Sequence, residues 1–141
     1  ARFEILNETY VKKLQIEARI LGDMCLNHVI PAAVKYQNIL IENVKGMKDI
    51  FGDEYMTYCA SEVETLKKIS LYINSVSSDV ESLVEARKKA NRIEDIAVRA
   101  KAYSHEVKDM MEKVRLSADN LEMLIDDEMW PLPKYRELLF F

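Results

Sequence analysis

The chain has 141 residues, 49% of them hydrophobic and 31% charged, with a formal net charge of −4. That length suits one domain rather than two, and the apolar share excludes intrinsic disorder. The two charge signs are interspersed, which leaves no concentrated basic face for nucleic acid.

Only three glycines and three prolines interrupt the chain. With abundant Leu, Ile, Glu, Lys and Ala, this points to few, long elements and an all-α fold. Two cysteines, Cys25 and Cys59, do not make a disulfide framework in a chain of this length. No signal peptide or bilayer-length apolar run is visible, so a reducing cytoplasm is expected, with no membrane partner.

The first helical pattern covers residues 3–51 and stops at Gly52, a residue suited to a left-handed helix end. Its apolar seam reads Leu14, Ala18, Leu21 and Cys25, then changes phase to Ala33, Tyr36, Leu40, Val44, Met47 and Phe51. Pro31 lies at the change; its ring would clash with the Asn27 carbonyl, which predicts a kink there.

Asp53 is the expected N-cap of a second helix over 54–90, with the seam Leu66, Ile69, Ile73, Val76, Val80 and Leu83. Arg87, Lys88, Lys89 and Arg92 fall where that helix should end, opposing its dipole rather than binding a polyanion. Asn91 either ends the second helix or caps a third over 94–129, with Glu94 three residues on. The third seam is Ile96, Ala100, Tyr103, Val107, Met110, Val114, Ser117, Leu121 and Leu124.

Short connections force neighbouring helices to run antiparallel. The expectation is one helical domain over 1–141: a long antiparallel bundle of three main helices, the first kinked near Pro31.

The first helix is apolar in excess. Ile16, Ile20, Met24, Leu26, Ile30, Ile39 and Ile41 lie outside its seam, beside a narrow polar stripe of Gln15, Arg19, Asp23 and Asn27. Two neighbours cannot bury all of that, so Ile16, Ile20, Met24, Leu26 and Ile30 are candidate interface residues. Gly22, Ala32 and Ala33 would permit close approach to a further partner. Arg19 and Asp23, four apart, are either a surface pair or part of a polar network buried against that partner.

The ending "DDEMWPLPKYRELLFF" stops a helix with paired prolines and finishes on apolar residues. Trp130, Leu139 and Phe140 are expected to anchor the tail 130–141 onto this bundle or a neighbour. Cys25 and His28, one turn apart, with Asp79 and His105 at a similar height, make a metal site geometrically conceivable. Without a Glu-x-x-His motif they are read as packing or hydrogen-bonded groups.

Three segments resemble a known family. "IEARILGDMCLNHVIPAAVKYQNILIENVKGMKDIFG" at 16–52 resembles the start of the C-terminal helical region of bacterial type III glutamine synthetases. "RKKANRIEDIAVRAKAYSHEVKDMMEKVR" at 87–115 and the closing 126–141 resemble its later parts. The likeness extends over essentially the whole chain and is least distinctive at 59–78.

The resemblance implies the C-terminal piece of a larger enzyme that joins glutamate and ammonia using ATP and a divalent metal, Mg or Mn. It implies a double-ring dodecamer, with the rest of the enzyme and its other subunits as partners. No catalytic, nucleotide-binding or metal-binding residue of the family falls on a position in this chain. A free-standing helical adaptor, binding a protein through its first helix, is the alternative.

Overall fold

The computed structural model describes residues 2–126. Helix α1, Arg2–Met24, runs through a π-helical turn, Cys25–Val29, into α2, Ile30–Phe51. A 3₁₀ turn, Gly52–Glu54, leads to α3, Tyr55–Asn91. Then come α4, Ile96–Ala102, a second π-helical turn, Tyr103–Val107, and α5, Lys108–Glu122. The described residues contain no strand, in accord with the all-α expectation.

The expected division into three main helices is not found in that form. The first and third are each divided by a π-helical turn. The third begins at Ile96 rather than residue 94, and α5 ends at Glu122 rather than 129. Helix α3 is broken from within at Cys59, whose φ of −131° and ψ of 21° leave the helical region. The Cys59 thiol there donates to the Tyr55 carbonyl at 3.1 Å.

The irregularity foreseen at Pro31 takes the form of the π-helical turn just ahead of it. The Ile30 amide donates to the Cys25 carbonyl, five residues back instead of four. Pro31 then lies in the first turn of α2, where its missing amide proton and fixed φ are tolerated. The wider turn takes in one more residue, and this accounts for the phase change of the seam.

The connections differ from expectation in their caps. Gly52 has φ 59°, as a glycine past a helix end should, but Asp53 makes no side-chain cap. Asn91 takes the first of its two expected roles, ending α3, and it is Asp95 that caps α4: its carboxylate accepts from the Ala97 and Val98 amides at 2.9 and 3.1 Å.

Polar contacts fix the packing. Gln15 donates to Asn91, Gln37 to Ser70 and Asn43 to Glu62, so residue numbers climb along α1 and α2 as they fall along α3. Ser117 donates to Asp79, and α3 opposes α5 in the same antiparallel sense.

The core lies where all these segments meet. Leu14, Ala18, Cys25, Val29 and Ala33 enter it from α1 and α2, and Ile69, Val76, Val80 and Leu83 from α3. Tyr103, Val107, Met111, Val114, Leu121 and Ile125 close it from the other side. Full burial of a Val- or Leu-sized side chain contributes ~1.5–3 kcal/mol before ordering costs are counted. Met111 and Ile125, rather than the expected Met110 and Leu124, take the innermost positions.

Beyond this core the hairpin of α2 and α3 continues as a two-helix arm. Between Ala33 and Ile69 the only buried residue is Cys59. Phe51 and Tyr58 stack near its tip, with ring centroids 4.2 Å apart.

Candidate interface surface

On α1 the buried residues are Val11, Leu14, Ala18 and Gly22. At 100° per residue, Ile16 and Ile20 project from the opposite side of the helix. They are 59% and 55% exposed, one turn apart. Leu26, in the π-helical turn, is also exposed, whereas Met24 is half-buried and Ile30 packs partly against the core. Of the five expected interface residues in this helix, three therefore face outward. Trp130, Leu139 and Phe140, with the expected tail, lie outside the described residues.

The small residues serve a different purpose from the one expected. A Cβ placed on Gly22 would lie 3.6 Å from Val80 Cγ1 of α3, and Ala32 and Ala33 are buried in this same chain. The close approach at Gly22 is to α3, and the two alanines are used within this chain.

The polar stripe is likewise shared out. Gln15 turns inward to Asn91, while Asp23 accepts from the Asn27 amide at 2.6 Å. Arg19 and Asp23 are both exposed in this chain.

The four residues considered for a metal are not brought together. Asp79 lies level with Ser117, whereas His105 is two residues from Tyr103, which bonds Asn91 at the far end of α3. His28 and His105 are exposed and Cys25 is buried. Burial pushes the Cys25 thiol up to about 11, so it stays protonated at neutral pH. No group of three or more potential ligands converges among the described residues.

Sequence reasoning missed a polar junction. The Tyr103 hydroxyl and the Gln15 amide both donate to Asn91 Oδ1, tying α1, the end of α3 and the second π-helical turn together. A tyrosine in an apolar seam signals such a partner, because its buried hydroxyl needs one. Nearby, Phe3, Asn7, Tyr10, Val98, Lys101 and Ser104 line an open cleft of about 460 Å³ between α1 and α4. Asn7 Nδ2 is buried beside it with no hydrogen-bond partner.

No helix among the described residues is long and apolar enough to cross a membrane. The described residues thus combine a helical core with outward-facing isoleucines, and no ligand set converges among them.

Comparison with known proteins gives this surface its context. Residues 1–48 match the family described as the glutamine synthetase C-terminal domain. A glutamine synthetase of Bacteroides fragilis is 48% identical over 140 residues, 99% of this chain and 19% of that protein. A type-3 glutamine synthetase of Dictyostelium discoideum is 29% identical over 141 residues, covering 99% of the chain and 19% of its own length. One from Butyrivibrio fibrisolvens is 28% identical over 140 residues, 99% of this chain and 20% of that protein. The chain spans about a fifth of the length of these relatives. By these matches it belongs to the C-terminal region of the glutamine synthetase family, which includes the type-3 enzyme.

Proposed function

We propose that the chain is a non-catalytic helical region of an ATP-dependent glutamate–ammonia ligase, and that it supplies packing surface between subunits or domains. The observation that carries this reading is the exposed pair Ile16 and Ile20, directed away from the chain's own core. The relatives are roughly five times longer than this chain, so the parent protein has ample further structure to cover the pair. ATP, the divalent metal and the catalytic groups belong to that further structure, and the parent assembles as a double-ring dodecamer.

The test replaces Ile16 and Ile20 with glutamate in the full-length enzyme and measures its sedimentation distribution. A shift toward smaller species is expected. Unfolding of the 141-residue chain should change by no more than ~0.5 kcal/mol, as for ordinary surface substitutions. Unchanged assembly would overturn the reading, as would a native chain near 16.4 kDa on an immunoblot of source cells.

A further inference from the structure

We infer that the outer face of α1 pairs antiparallel with α1 of a second copy of this chain, about a two-fold axis midway between Ile16 and Ile20. This rests on the packing role proposed above and names the partner that the role leaves open.

The outward residues of α1 and the turn after it form one seam. Thr9, Lys13, Ile16, Ile20, Asp23 and Asn27 follow one another in alternating steps of four and three, and all six are exposed. At 100° per residue they fall within an arc of about 80°. That arc is centred opposite the buried Val11, Leu14, Ala18 and Gly22. Asn27 stands in the π-helical turn, yet its amide donates to Asp23, which keeps it in line with the others. The spacing is that of a helix packed lengthwise on another helix.

The order of side chains along the seam points to the occupant. From either end it runs polar, charged, isoleucine, isoleucine, charged, polar, and the two charges have opposite sign. Turned end over end about its midpoint, the seam therefore complements itself. Ile16 faces Ile20 of the second copy, Lys13 faces its Asp23, and Thr9 faces its Asn27. Each contact occurs twice, as a two-fold interface requires. A parallel pairing would set lysine against lysine and aspartate against aspartate, and like charges across an interface are costly. The apolar pair lies at the centre and the charges lie outside it, the usual anatomy of an interface.

Within one chain Lys13 and Asp23 are ~15 Å apart along the helix, too far to meet. Charge exchange therefore reports only on contacts between copies. In the full-length enzyme, Lys13→Glu alone creates two like-charge pairs across the interface, and so does Asp23→Lys alone. Each should raise the concentration at which assemblies separate about tenfold, read by sedimentation velocity at low salt. Combining the two substitutions restores opposite charges and should return that concentration to the unaltered value. Cysteine variants test the register. Lys13→Cys together with Asp23→Cys should give a covalent dimer with a short bismaleimide, whereas either substitution alone should not.

Single reversals without effect would overturn the pairing. So would a combined variant that fails to recover, or a double cysteine variant that yields no covalent dimer. Cross-linking by a single cysteine variant would mean parallel pairing and would overturn it too. Glutamate at Ile16 and Ile20 separates this failure from that of the packing role. If that variant still disperses the enzyme, the packing role stands with a different partner; if it does not, both readings fall.

Discussion

Ser117 of α5 and Asp79 of α3 meet across the interface between their helices, the hydroxyl donating to a carboxylate oxygen at 2.6 Å. Ser117 is buried and Asp79 half-buried, so the pair is a polar contact set into an otherwise apolar seam. It fixes the relative height of two antiparallel helices that apolar packing alone would hold less specifically. Ser117→Ala removes the donor and leaves the carboxylate partly desolvated, at an expected cost of about 1–2 kcal/mol. Urea denaturation should show a lower midpoint with an unchanged slope. A midpoint equal to that of the unaltered protein would refute the assignment.

The Asp95 cap makes a local prediction. Its carboxylate serves two amides at the start of α4, so Asp95→Ala should lose about 1 kcal/mol, while Asp95→Asn should retain most of the capping. Amide hydrogen exchange at Ala97 and Val98 should accelerate in the alanine variant. The core amides of α3 should slow or quicken only with global stability.

These residues also mark how far the sequence could be read. The α3 seam through Ile69, Val76, Val80 and Leu83 was legible, because its apolar steps of three and four persist over several heptads. The phase change near Pro31 was legible as well, but not its form, since a proline disturbs a helix in several ways. Asn91 and Asp95 both suit a helix start. Only the Gln15 and Tyr103 partners supplied by the tertiary fold decide that Asn91 is a junction and Asp95 the cap. Of the outward surface, Ile16, Ile20 and Leu26 could be found by periodicity. The inward use of Gly22, Ala32 and Ala33 could not, because small residues fit either side of a helix.

Asp119 gives a pH prediction. Burial, then the neighbouring Glu122, raise its carboxyl above the ordinary carboxylate value, while Arg115 opposes them. The folded state therefore favours the protonated acid more than the unfolded chain does. The stabilisation from this group is fully present below the unfolded value and is lost as pH rises through the folded one. Asp119→Asn should flatten that component of the stability–pH curve and be no less stable than the parent at neutral pH. Urea midpoints followed from neutral pH down through the carboxylate range decide it; an equal slope in both proteins would contradict the assignment.

The two thiols should differ in kinetics despite equal burial. Cys25 and Cys59 are each 1% exposed, but Cys25 sits in the main core and Cys59 at the break in the thinly packed arm. Local opening is cheaper where fewer apolar groups are buried. Cys59 should react first with an aromatic disulfide reagent, and Cys25 only at the rate of more extensive opening. Mass spectrometry of the partly labelled protein distinguishes the order, and prior labelling of Cys25 would contradict it.

The two π-helical turns carry an evolutionary consequence. Each amide there reaches back one residue further than an α-helical amide does, so each turn is in effect a stored insertion. Deleting one residue within Cys25–Val29 lets α1 and α2 close into a continuous helix with both inward faces still inward. The same deletion in the middle of α3 turns everything beyond it by about 100° and carries the core residues out to solvent. Length variation among related chains should therefore concentrate at these turns, where losing a residue costs the fold least.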